Sequence, residues 1–174
     1  MFTADGELDP TFMDNGVLNV FPPGFGTHHC DHFQYMPDGR LLLADASLSE
    51  RIIRLTADGS ALDPTFDPFS PINLHWIQLM EDGRIYYSAW VDNRIGRLLP
   101  NGDPDPAFGI NGTMDLPGYS FASGMLQTPQ GLLAYGGVPT FNYETELGVS
   151  RLLDDGGLDS SFAYSGTGGY NGHG

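Results

Sequence analysis

The sequence predicts an all-β fold built of repeated, propeller-type blades, and three observations predict it. One turn block recurs four times, a second block recurs three times between its copies, and no window sustains a helical period. Glycine and proline, 24 and 13 residues, punctuate every stretch that would otherwise read as helix.

The first block runs Thr3-Ala4-Asp5-Gly6-Glu7-Leu8-Asp9-Pro10-Thr11-Phe12. It returns near residue 56 as Thr56-Ala57-Asp58-Gly59 closing on Leu62-Asp63-Pro64-Thr65-Phe66. Near residue 100 it reads Pro100-Asn101-Gly102 closing on Asp105-Pro106-Ala107-Phe108, and near residue 154 Asp154-Asp155-Gly156 closing on Leu158-Asp159-Ser160-Ser161-Phe162. The closing phenylalanines are spaced by 54, 42 and 54 residues. The second block carries Pro37-Asp38-Gly39-Arg40-Leu41-Leu42, Glu81-Asp82-Gly83-Arg84-Ile85-Tyr86, and Pro129-Gln130-Gly131-Leu132-Leu133. A third element, with Arg54-Leu55, Arg97-Leu98 and Arg151-Leu152, precedes each later copy of the first block.

Asp-Gly and Asn-Gly between apolar runs are hairpin signals, because a type I′ turn needs positive φ at both central residues. Each repeat therefore holds two turns joined by short strands. A further strand is expected after the closing phenylalanine, as in Val17-Leu18-Asn19-Val20. Three to four antiparallel strands per 42–54 residues describe a propeller blade. A lone blade cannot bury both faces of its sheet and needs neighbours. The chain holds about three blades, whereas closed propellers run to roughly 4–8. Open edges invite pairing. The expected escapes are a homodimer that completes a propeller, docking into a larger complex, or a longer parent chain.

The 174 residues are enough for one domain, read as a repeat domain over 1–164 followed by a flexible Gly-rich tail over 165–174. Hydrophobic residues at 40% and aromatics at 12% provide a core. The net charge is −15, all seven bases are arginine, and this acidic balance excludes a nucleic-acid binder, since no basic surface exists to neutralise phosphates. It also disfavours docking on anionic membrane. No apolar run reaches the ~18 residues of a transmembrane helix. The first residues have neither a basic nor an apolar leader region, so no signal peptide is expected. With one cysteine, Cys30, no intramolecular disulfide is possible.

The pattern Arg-Leu-x-x-Asp-Gly-x-Leu-Asp-x-x-Phe, alternating with Gln-x-x-Pro-Asp-Gly-Arg-Leu-Leu, resembles the delta-60 repeat proteins of bacteria over the chain to about Phe162. The resemblance implies a β-propeller, often exported to the periplasm or cell surface, with no catalytic residues attached to the motif.

The most unusual segment is Thr27-His28-His29-Cys30-Asp31-His32. On a strand, His28, Cys30 and His32 would share one face and converge on a transition metal. The structural alternative is a polar loop whose histidines make ordinary hydrogen bonds. Aligning the turns sets Asp31 against His75 and His32 against Trp76, so His28, His29, Asp31, His32, His75 and Trp76 are candidates for binding at a channel mouth. Seventeen of the 22 acids are aspartate, mostly in turns, where carboxylates cap backbone amides. No full calcium loop is present. Arg54, Arg97 and Arg151 read as fasteners that bind carboxylates or carbonyls between blade turns. Phe12, Phe66, Phe108 and Phe162 read as repeat core. Trp76, Trp90, Tyr86, Tyr87, Tyr119, Phe121, Tyr135, Phe141 and Tyr143 do not recur strictly and supply either sugar-stacking platforms or inter-blade filling.

No nucleophile elbow, phosphate loop or zinc-helix motif occurs. The expectation is therefore a non-enzymatic structural or interaction subunit that self-associates or docks into a larger assembly through its propeller edges. The alternative is a lectin-like, small-ligand or metal-binding module using the channel mouth. No cofactor is expected beyond a metal at His28–His32.

Overall fold

The structure, a computed structural model, describes residues 3–11, 17, 30–45, 51–69, 71, 74–89, 93–139, 145–162 and 167–169; for Cys30, Asp31, Asp45 and 167–169 it describes the backbone only. Eleven strands and no helix occur among the described residues. They form three antiparallel sheets, each a meander in which neighbours in sequence are neighbours in the sheet. The chain divides into two compact units, Met1–Ser70 and Pro71–Gly174.

The first unit holds blade one: β1 (Cys30–Tyr35), β2 (Leu41–Asp45) and β3 (Arg51–Leu55). An isolated bridge from Ile52 to Phe69 stands where a fourth strand would lie. The second unit holds two four-stranded blades. Blade two is β4 (Leu74–Leu79), β5 (Ile85–Ala89), β6 (Arg94–Leu98) and β7 (Thr113–Asp115). Blade three is β8 (Phe121–Thr128), β9 (Gly131–Pro139), β10 (Thr145–Leu152) and β11 (Thr167–Gly169). β11 comes from the Gly-rich stretch that the sequence reads as a tail, and it pairs with β10.

The Asp-Gly blocks differ from the expected type I′ geometry. Gly39, Gly59, Gly83 and Gly156 have positive φ, and the aspartate before each does not. The turn closes through a glycine N–H on the carbonyl three residues back, as in Gly59 to Thr56 at 2.8 Å. The aspartate instead caps the loop, its Oδ1 accepting the N–H two residues on, at 3.1 Å for both Asp38 and Asp58. Among the described residues only Asn111-Gly112 has both central residues at positive φ, between mutual Ile110–Thr113 backbone bonds. The third Pro-x-Gly turn is shorter than its sequence alignment. Thr128 pairs with Gly131, so Pro129 and Gln130 alone form the loop, and Gly131 takes the place held by Arg84 in blade two.

Register makes the blades comparable residue by residue. Leu42, Tyr86 and Leu133 stand directly opposite Arg54, Arg97 and Arg151. Each blade thus has an arginine face and a reverse face. The core of the second unit forms where the arginine face of blade two meets the reverse face of blade three. Tyr86, Ile95 and Phe108 there pack with Met125, Leu132, Ala134 and Leu152. Trp76 lies partly buried against the same cluster.

Three tyrosines lie over glycines on a neighbouring strand or loop: Tyr87 over Gly96, Tyr135 over Gly124 and Tyr119 over Gly148. A Cβ on Gly96 would fall 2.0 Å from the Tyr87 ring, so the ring occupies the space that the missing side chain leaves. Burial pushes the Tyr87 hydroxyl up to about 12.

Candidate functional site

The repeated arginines build one local module three times. Arg54 Nε donates to Asp63 Oδ2 at 2.8 Å, Arg97 Nε to Asp105 Oδ2 at 2.7 Å, and Arg151 Nε to Asp159 Oδ2 at 2.7 Å. Each guanidinium also lies over the phenylalanine three residues beyond its aspartate, 4.8 Å above Phe66, 4.8 Å above Phe108 and 5.1 Å above Phe162. The loop closes back on the strand, with the aspartate N–H donating to the arginine carbonyl at 2.8, 2.9 and 2.8 Å. The sequence spacing follows from this geometry: the chain leaves the strand, turns at the glycine, and returns with Asp and Phe to either side of one planar cation.

In blade two the module also reaches into blade three. Arg97 Nη1 donates to the Asp154 carbonyl at 2.5 Å and lies 3.1 Å from its carboxylate, while Arg84 Nη1 reaches the same carboxylate at 2.6 Å. The hydrogen bond from Arg84, reinforced by the charges of Arg84 and Arg97, holds the Asp154 carboxyl below its ordinary range. Gly109 N–H donates to the Asp155 carbonyl at 2.8 Å across the same seam.

Blade three presents the equivalent face without such a neighbour among the described residues. Leu126 and Leu147 are each 58% exposed and Tyr135 is 38% exposed. Leu133, Val149, Arg151 and Phe162 are half-buried. Their counterparts in blade two, Tyr86, Ile95, Arg97 and Phe108, are buried. Arg151 keeps its bonds to Asp159 and, at 3.1 Å, to Ser161 Oγ, but its Nη1 donates no hydrogen bond among the described residues. This face is the candidate site.

A second feature was not legible as a pattern in the sequence. The first strand of every blade has an irregularity at one repeat position: between Cys30 and His32, Leu74 and Trp76, and Ala122 and Gly124. Asp31, His75 and Ser123 occupy it, and bulges re-aim side chains. His75 Nδ1 lies 3.2 Å from the Ala122 carbonyl. Of the other predicted site residues, His28, His29 and Phe12 lie outside the described residues, as do Trp90, Phe141 and Tyr143, and so do the side chains of Cys30 and Asp31. His32 is half-buried on β1. No group of three or more His, Cys, Asp or Glu among the described residues is placed to hold a metal ion. Tyr119 is buried with its hydroxyl 2.9 Å from Ser150 Oγ, so it is not an open stacking platform.

Repeated antiparallel meanders packed face to face define a β-propeller-type repeat protein. The family described as a domain of unknown function (DUF5122) beta-propeller matches residues 81–108, which cover the Asp82-Gly83 turn through Phe108. No curated protein matches the chain. Among solved structures, a catalytically inactive virginiamycin B lyase from Staphylococcus aureus with quinupristin is 17% identical with a TM-score of 0.51, covering 73% of this chain and 39% of that one. A selenomethionine-substituted virginiamycin B lyase from the same organism is 12% identical with a TM-score of 0.47, covering 73% and 53%. The chain thus spans well under two thirds of the length of the structures it matches.

The shared fold corrects one expectation. The chain was expected not to be an enzyme because no contiguous catalytic motif occurs, yet the fold it shares at TM-score 0.51 is that of an enzyme. The physical reason is that a propeller assembles a site from single residues on separate blades, so the lack of a local motif excludes no chemistry. Among the described residues no helix is long and apolar enough to cross a membrane.

Proposed function

We propose that the chain is an assembly module that self-associates by seating another blade on the arginine face of blade three. One observation carries this reading: Leu126, Leu133, Tyr135, Leu147, Val149 and Arg151 form the equivalent of the face that blade two buries under blade three, but here Leu126, Tyr135 and Leu147 stand exposed and Leu133, Val149 and Arg151 are only half-buried. A blade needs cover on both faces, and an apolar sheet face left bare is a place of association.

Sedimentation velocity on the full chain tests this. At about 100 μM even a contact of ~10 μM dissociation constant is mostly filled. The wild type is expected above monomer mass, and Leu147→Asp, a change at an exposed position, is expected to return it to monomer. A strictly monomeric wild type would overturn the reading and point to a different chain as the occupant.

A further inference from the structure

Resting on that reading, we infer that the blade received by blade three is blade one of a second copy, presented by its reverse face in head-to-tail fashion. Blade one carries the matching surface. By register, Phe33, Leu43 and Leu41 occupy the positions of Met125, Ala134 and Leu132, residues with which blade three covers blade two; Leu41 and Leu43 are half-buried, and Leu55, at the position of Leu152, is already buried. Phe33 is 69% exposed and its neighbour Tyr35 is 64% exposed. One chain therefore bears both halves of an interface whose pattern it already uses internally.

At the Tyr86 position the two halves compensate each other in volume. Where the internal seam has Tyr86 in a cluster with Met125, Leu132, Ala134 and Leu152, the open face has the smaller Leu133. The incoming face compensates, with Phe33 in place of Met125 and Leu43 in place of Ala134. Volume-conserving exchanges of this kind keep a core packed.

The charges are matched as well. In the internal seam Arg84 and Arg97 share the Asp154 carboxylate. On blade three Gly131 stands in place of Arg84, and on blade one Ala57 stands in place of Asp154. Both members of the Arg84–Asp154 pair are thus missing together, so neither is left without the other on docking. What remains is Arg151 Nη1, which makes no hydrogen bond among the described residues, and the Ala57 turn of the second copy, whose carbonyl takes the role of the Asp154 carbonyl. A head-to-tail contact of this kind closes a ring if its rotation allows, and extends a filament if it does not.

Mixing two disabled chains tests the assignment. Phe33→Asp disables the reverse face of blade one, and Leu147→Asp disables the arginine face of blade three; both positions are exposed, so neither change threatens the fold. An unpaired charge at the contact should weaken self-association at least about 100-fold in either variant alone. Mixed, the two chains retain one intact pair of faces and are expected to form a one-to-one heterodimer by native mass spectrometry. If Phe33→Asp alone still self-associates like wild type, blade three pairs with itself; the head-to-tail inference then fails while the reading of the open face survives. If wild type does not associate at all, both fail. A further variant reads the register: Ala57→Asp supplies Arg151 with the carboxylate that Arg97 finds at Asp154, and should tighten the heterodimer about tenfold. An unchanged affinity would overturn the Arg151–Ala57 pairing.

Discussion

The three arginine modules have one design in different degrees of shelter. Arg97 and Asp105 are 1% and 7% exposed at their side chains, whereas Arg151 and Asp159 are 20% and 18% exposed. Removing one partner of a buried pair leaves a desolvated charge, which costs about 3–5 kcal/mol. Arg97→Ala should therefore lower stability by about that much, since Asp105, the Tyr86 hydroxyl and the Asp154 turn lose a partner together. Arg151→Ala should cost only ~1 kcal/mol, as partly solvated pairs do. Equal losses in urea denaturation would show that shelter does not set the strength of the module. The same carboxylates predict an acid response. Thr65 donates to Asp63, with Arg40 and Arg54 adding their bonds, and this holds Asp63 well below its ordinary range; Ser161, then Arg151, does the same for Asp159. Both titrate lower in the folded state than in the unfolded one. Their stabilisation is present above the ordinary carboxylate value of 3.8 and is lost as pH falls through the folded values. The urea midpoint should hold steady from pH 7 to about 5 and fall below about 4. A midpoint that rises on acidification would contradict the role of these pairs.

Each strand owes its place to its turns, and its packing to pairs of residues that no turn motif reveals. The Asp-Gly blocks made the meanders legible, because a glycine at positive φ and an aspartate that caps its own loop leave the chain few alternatives. The sequence reads the repeated arginines as fasteners between blade turns, whereas Arg54, Arg97 and Arg151 each bond first to the aspartate of their own repeat, Asp63, Asp105 and Asp159, a pairing that one planar cation fixes. The turn at Pro129-Gln130 was misaligned by one residue, since Gly131 reads as the turn glycine although it opens β9. That slip hid which residue replaces Arg84, and so hid the charge matching at the open face. The tyrosine–glycine pairs were equally silent, because Tyr87 and Gly96 meet across strands that only the register brings together. Gly96→Ala should cost ~3 kcal/mol through collision with the ring. Gly118→Ala, with φ +82 and open space around it, should cost only the ~1 kcal/mol of left-handed backbone. Replacing Tyr87 by Leu in the Gly96→Ala background should recover part of the loss. An additive double variant would show that the ring does not occupy that space.

At the scale of the whole molecule, two forces oppose each other in any self-association. The open faces are apolar, with Leu126, Tyr135 and Leu147 on one and Phe33 and Tyr35 on the other. Yet every chain carries a formal charge of −15, so two copies repel as they approach. Apolar contact is not screened by salt, whereas the repulsion is; the Debye length falls from about 30 Å at 0.01 M ionic strength to about 8 Å at 0.15 M. If the faces join mainly through apolar burial, association should strengthen several-fold across that range in sedimentation velocity. The opposite slope would mean that ion pairs hold the contact, which the exchange of Arg84 for Gly131 and of Asp154 for Ala57 at the two faces argues against. The Leu147→Asp chain separates the effects further. It adds a charge to the repulsion and breaks the apolar face, so raising salt should restore only the repulsive share and leave it weaker than wild type at every ionic strength. Full recovery at high salt would show that the open face contributes nothing beyond its charge.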